Sequence, residues 1–222
     1  MPKVTDEYYE KKKQEIIDAA YRVCVRKPVT SVEMKDVIAE TGFSHGVVYR
    51  YYKNLDDLLR DLVIRINRNN RMSERLNAIV KGRGACEWRS VIRNVCSMLA
   101  DYLKEVGIDL LKISNYCDML AMSDPKRVNE IAGKIGKEDG SPLLELVSVM
   151  AGYLSEAITE NSLRPKHSIE EIIQFFIASY HGIQTGYVLS NCYEAEQLQG
   201  KYDPEQMFSC LADAVISMME AG

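Results

Sequence analysis

Between residues 44 and 53 the chain reads Ser44-His45-Gly46-Val47-Val48-Tyr49-Arg50-Tyr51-Tyr52-Lys53. Hydroxyls, an imidazole, a guanidinium and an ammonium are crowded around one glycine. These groups suit hydrogen bonding to phosphate oxygens and to base edges in a major groove. Arg50 can make paired hydrogen bonds to a guanine edge or fall back on phosphate, and Tyr49 and Tyr51 carry hydroxyls for phosphates. Ser44, with its neighbouring backbone amides, would sit at the positive end of a helix, where a phosphate oxygen is favoured. Gly46 lets the backbone approach closely. His45 can touch a base or phosphate, or stand as an exposed loop histidine. Thr30 and Ser31 can bind phosphate as well as cap a helix. Lys11 to Lys13 either trail along a DNA backbone or a minor groove, or form a solvated charge run.

Such groups reach a groove only if helices present them. Spacings of three and four recur along the chain and no run of alternating β-branched residues reaches strand length, so the expected fold is all-α. Ile17, Ala20, Tyr21 and Cys24 make the apolar stripe of a first helix from about Asp6 to Arg26. Lys27-Pro28 breaks it. Thr30-Ser31 is read as the cap of a helix from about Val32 to Glu40. Gly42 supplies a tight turn, and Ser44 caps a short helix from His45 to about Tyr52, with Tyr52 as a core anchor. Asn54 caps a fourth helix, along which Arg65, Arg68, Arg71 and Arg75 share one side if it runs that far. After a loop at Gly82 to Gly84, helices are expected over Trp88–Val106, Leu110–Met122, Pro142–Ile158, Ile169–Tyr193 with Ser168 as its cap, and Pro204–Met219. Asp124-Pro125 and Lys137 to Ser141 are read as separators, and Gly182 and Gly186 as permitting close helix approach.

Other chemistries find little support. There is no GxSxG elbow, no GxxxxGK[ST] loop and no HExxH helix, and the three histidines are far apart. The six cysteines lack CxxC spacing and read as reduced, mostly buried thiols. No catalytic residue, metal site or cofactor is expected. Residues 1–83 carry a net charge of +5 and residues 84–222 one of −9. A positive segment on an acidic chain suits phosphate contact, although scattered surface charge reads the same way. The amino-terminal residues through Lys13 form no apolar leader and no stretch approaches a membrane span, so the cytoplasm is the expected compartment.

In order along the chain, Ile17-x-x-Ala20, Thr30-Ser31-Val32, the run from Thr41 to Tyr52 and Asp56-Asp57-Leu58-Leu59 together resemble the DNA-binding domain of the TetR family of bacterial transcriptional regulators. Leu55 stands where many members carry a lysine, and Lys53 can supply a nearby charge instead. The resemblance implies a helix-turn-helix domain over residues 1–53 and a larger helical ligand-binding and dimerisation domain over 54–222. It also implies operator DNA as a partner and a homodimer built on the last two long helices. A small molecule bound in the larger domain would release the DNA. Trp88, Tyr102, Tyr116, Met119, Met122, Tyr153 and His181 are candidate lining residues, each equally readable as plain core. Their aromatic and sulfur character favours an amphipathic or aromatic ligand. Cys117 beside Tyr116 is either an oxidant sensor or a buried inert thiol. The function implied is a ligand-responsive repressor; the alternatives are an activator and a helical protein-interaction adaptor.

Overall fold

A computed structural model describes residues 6–82, 87–192 and 202–220. Among these the protein is all-helical, with no strand. The helices are α1 (Asp6–Arg26), α2 (Met34–Thr41), α3 (His45–Tyr51), α4 (Leu55–Arg68), α5 (Met72–Lys81), α6 (Trp88–Ser123), α7 (Pro125–Ala132), α8 (Pro142–Glu160), α9 (Ile169–Cys192) and α10 (Pro204–Glu220), with 3-10 turns at Val29–Ser31 and Lys137–Asp139. Residues 83–86, including Cys86 and the end of the expected Gly82 to Gly84 loop, and Tyr193 lie outside the described residues. No described helix is long and apolar enough to cross a membrane.

The chain divides into two compact units, the first formed by Met1–Asn69 with Lys112–Gly140 and the second by Asn70–Leu111 with Ser141–Gly222. In the first, Ile16, Ile17, Ala20 and Cys24 of α1 pack with Val37 and Ile38 of α2, Val48 of α3, and Leu58 and Leu62 of α4. Ile113 and Leu120, from the last turns of α6, complete this core. Each fully buried leucine here contributes about 1.5 to 3 kcal/mol. In the second unit Leu76, Ile92, Leu99, Leu103, Leu146, Leu154, Ile172 and Phe208 are among the residues removed from water. There α8 packs on α5 and α9, and α9 on α10.

Helix ends explain where the sequence reading held and where it slipped. Asn54 Oδ1 accepts from the Asp57 N–H at 2.8 Å, as expected of a cap. Ser168 and Glu171 satisfy each other's backbone N–H groups at the start of α9, and Asp203 Oδ1 accepts from the Glu205 N–H at the start of α10. Thr30 and Ser31, by contrast, do not cap α2. They are spent in a 3-10 turn in which the Ser31 N–H bonds Pro28 O at 2.8 Å, and α2 starts later, where the Glu33 N–H donates to Asp36 Oδ2 at 2.8 Å. The fourth helix stops at Arg68. The next begins at Met72, whose N–H is taken by Asn70 Oδ1 at 2.8 Å, so Arg65, Arg68, Arg71 and Arg75 do not form one stripe. Asp124-Pro125 starts a helix instead of separating two. Asp124 Oδ1 accepts from the Arg127 N–H, and proline is tolerated at the first helical position, whose N–H has no intrahelical partner. The cysteines are also less uniformly buried than expected, since Cys192 and Cys210 are exposed.

The expected break between Val106 and Leu110 is present inside α6. Gly107 has φ 79° and ψ 157°, a region almost reserved for glycine. Replacing it with alanine would meet no neighbouring atom within 4 Å, so the cost is confined to the backbone. Gly107→Ala is expected to lower the unfolding free energy by about 1 to 3 kcal/mol, read as a lower urea midpoint at unchanged slope.

Candidate nucleic-acid interface

The α2–α3 turn is set by Thr41 and Gly42. Thr41 Oγ1 donates to Ile38 O at 2.8 Å and accepts from the Phe43 N–H at 3.0 Å. Gly42 follows in the left-handed conformation, φ 68°, at the end of α2. From there α3 is pinned by two residues. Val48 is fully buried, and Tyr52, just beyond the helix, is buried with its hydroxyl donating to Asp61 Oδ2 of α4 at 3.2 Å. Burial, then the adjacent Asp61 carboxylate, pushes that phenol's pKa far up, so it stays protonated as a donor.

With Val48 and Tyr52 facing inward, Ser44, His45, Gly46, Tyr49 and Arg50 face solvent, as does Lys53 after the helix. Ser44 occupies the capping position with extended backbone, but its side chain makes no cap bond. His45 stacks on Tyr49, one turn on, with centroids 6.2 Å apart. Adding a Cβ at Gly46 would meet nothing within 4 Å. Thr30 and Ser31 are exposed in their 3-10 turn. Tyr51 is only half-exposed, because its ring lies 4.6 Å from that of Tyr9 on α1. The Lys12 ammonium sits 4.5 Å from the Phe43 ring and bonds Glu15 at 2.7 Å. The amino end of α1 thus braces both α3 and the turn before it, a role with no signature in local sequence.

Charge pairing singles out the same surface. Lys12 pairs with Glu15, Lys13 with Asp61, Arg22 and Arg26 with Glu40, Lys27 with Asp36, and Lys35 with Glu33. The Arg22 bond, then that of Arg26, holds the Glu40 carboxyl below its usual range, and Lys27 does the same for Asp36. Of the basic residues from Asp6 to Lys53, Lys11, Arg50 and Lys53 alone carry no ion pair among the described residues. The expected Lys11 to Lys13 run therefore reduces to Lys11. Farther on, Arg65 pairs with Asp18 of α1 and Arg75 with Glu105, so neither is an idle cation.

The candidate ligand-lining residues fall into two sets. Tyr116, Met119 and Met122 belong to the first unit. Tyr116 packs on its core, while Met119 and Met122 are 49% and 78% exposed. Trp88, Tyr102, Tyr153 and His181 belong to the second. There the Tyr153 hydroxyl donates to Trp88 O at 3.4 Å, both residues being buried, and Tyr102 Oη accepts from Asn70 Nδ2 at 2.6 Å. Burial raises the Tyr102 phenol, with the Asn70 bond opposing it. His181 is half-buried, edge-on to Tyr180. Burial, with Asp118 adding to it, pushes the Cys117 thiol up to about 11, which disfavours the reactive thiolate. No group of three or more His, Cys, Asp or Glu able to hold a metal occurs among the described residues.

A helix-turn-helix whose second helix faces solvent, with cationic groups outside any ion pair among the described residues, has the geometry of a DNA-binding module. Residues 16–62 match the family described as bacterial regulatory proteins, tetR family. The chain is 28% identical over 187 residues to the uncharacterized HTH-type transcriptional regulator YfiR of Bacillus subtilis (strain 168), covering 82% of each. Its fold is similar to that of the transcriptional regulator FadR from Bacillus subtilis, solved in complex with stearoyl-CoA, with a TM-score of 0.65 and 18% identity over 92% of this chain and 97% of that one. A similar likeness holds for the fatty acid degradation regulator FadR from Bacillus halodurans, with a TM-score of 0.65 and 16% identity over 92% of this chain and 94% of that one. Residues 16–62 thus form a tetR-family DNA-binding domain, and over most of its length the chain resembles transcriptional regulators.

Proposed function

We propose that this regulator is a homodimeric repressor that sits on a palindromic operator and leaves it when a small amphipathic molecule binds the larger helical domain. The observation that carries the reading is Arg50, exposed on α3 with no acidic partner among the described residues, beside Tyr49, His45 and the bare backbone at Gly46. A glycine stands as the second residue of α3. Nothing in the surrounding packing requires it at position 46, which favours a role in close approach to a duplex. Ser44, Thr30, Ser31, Tyr51 and Lys53 are assigned to phosphates, and Arg50, with His45 and Tyr49, to the groove.

The dimer reading rests on α9. Phe175, Ala178, Gly182 and Leu189 are exposed at helical spacing, with Phe175 at 41% and Leu189 at 45%. Gly186 beside them is filled from within the chain by the Tyr202 ring, whereas Gly182 faces open space. Met207, Ala214 and Met218 give α10 a similar half-exposed stripe. A two-fold partner covering both stripes makes a four-helix bundle.

For the effector, Trp88, Tyr102, Tyr153 and His181 are retained as the candidate set, since the second unit combines buried tyrosine hydroxyls with an apolar interior. Stearoyl-CoA, the ligand of a FadR with this fold, has the amphipathic character proposed and is the first compound to try. By linkage an effector releases DNA only if it prefers the state that cannot bind it.

Selection of bound sequences from random duplexes at fixed salt is expected to return a palindromic consensus, and titration with stearoyl-CoA to reduce retention of that duplex. A consensus without two-fold symmetry would remove the dimeric reading. Retention unchanged at saturating stearoyl-CoA would remove that compound class. Light scattering separates the adaptor alternative, which requires a monomer that pairs only with another protein.

A further inference from the structure

The helix that follows the recognition helix is gripped at both ends by a segment distant in sequence. At its amino end, Arg127 of α7 places Nε and Nη2 on Asp56 Oδ1 at 2.9 and 2.6 Å. At its carboxyl end, Arg68 makes a fork on Asp139, Nε to Oδ1 at 2.5 Å and Nη2 to Oδ2 at 2.8 Å, and Asn67 Nδ2 donates to the Asp139 carbonyl at 2.9 Å. Asp139 is buried and closes the 3-10 turn after α7, so its charge depends on that fork. Asp56 and Asn67 are eleven residues apart, about three helical turns, and therefore share one face of α4. Another face is tied to α1 by Asp61 with Lys13 and by Arg65 with Asp18.

We propose that Asp56, Arg68, Arg127 and Asp139 are positioning residues for DNA recognition: they fix α4 between α1 and the α7 segment and thereby fix α3. The transmission runs through three residues. Tyr52, Lys53 and Asn54 alone join α3 to α4, Asn54 caps α4, and the buried Tyr52 hydroxyl bonds Asp61. A rotation or slide of α4 therefore displaces the Tyr52 anchor of α3. All four residues lie within the first compact unit. None of them is among the residues assigned to DNA, and the inference rests on that assignment.

The test compares wild type with R68Q/R127Q in the full chain by two measurements. In the absence of DNA, amide hydrogen exchange over the last turn of α4 is expected to speed up at least tenfold in the variant, while amides at Ile16 to Cys24 of α1 stay within twofold. On DNA, affinity for the duplex recovered by selection with wild type is expected to fall at least tenfold, and affinity for a scrambled duplex at the same salt by no more than twofold. Simple destabilisation would raise exchange in α1 as well and weaken both duplexes alike, and that result overturns the proposal. Unchanged exchange in α4 overturns it whatever the DNA result. If wild type retains no duplex at all while α4 exchange still rises, the DNA reading fails and takes the positioning role with it. R127Q alone strands only the part-exposed Asp56; it is the second variant if R68Q/R127Q does not fold, with an expected threefold loss on the selected duplex and none on the scrambled one.

Discussion

Arg50→Ala is expected to weaken binding to the selected duplex by about 1 to 3 kcal/mol, roughly five- to 150-fold, while binding to random duplex falls far less. The argument begins with packing. Val48 and Tyr52 fix which face of α3 is buried, so Arg50 projects from the opposite side, and no carboxylate among the described residues competes for its guanidinium. Removing it should leave the fold intact, because its side chain supports no core contact and no ion pair. Electrophoretic retention of both duplexes across a salt series measures the difference. A base-reading arginine changes the specificity ratio, whereas a phosphate contact lowers both affinities together and flattens the salt slope by about one. Equal losses on the two duplexes would assign Arg50 to the backbone and leave base reading to His45 and Tyr49.

What the sequence made legible was what local rules govern. The apolar spacing of Ile17, Ala20 and Cys24, the Gly42 turn, the Asn54 and Ser168 caps and the buried Tyr52 all depend on residues within a few positions of one another, and all are as read. Thr30-Ser31 carried a capping signature but was used for a 3-10 turn, because Glu33 and Asp36 offered a second capping pair three residues on. Asp124-Pro125 carried both a helix-start signature and a break signature, and the helix start prevailed. The contacts that organise the interface spatially were not readable at all. Tyr9 meets Tyr51 and Asp139 meets Arg68 across dozens of intervening residues, and nothing in the local composition of either member names the other. In place of a charged stripe, Arg65, Arg68 and Arg75 make separate ion pairs, since α4 ends at Arg68 and Asn70 Oδ1 takes the first N–H of α5.

The largest loss of DNA binding is expected from F175E/L189E, which touches no DNA-facing residue. Both side chains leave α9 on the exposed side, so the substitutions cost little within one chain. In a two-fold bundle each glutamate would lie near its own symmetry mate or in the mate's apolar stripe, where it must be either desolvated or repelled. The variant should therefore elute and scatter light as a monomer at micromolar concentration, with a helical circular dichroism spectrum like that of wild type. A monomer holds one half-site, and losing the linked second half removes an avidity gain of about 10²- to 10⁴-fold. Retention of the palindromic duplex should fall by that factor, while a single half-site duplex, bound weakly by either protein, should hardly distinguish them. Two results would count against the bundle: a variant that remains dimeric, which puts the interface elsewhere, and a wild type that is already monomeric yet retains the full duplex, which makes pairing through α9 and α10 unnecessary for recognition.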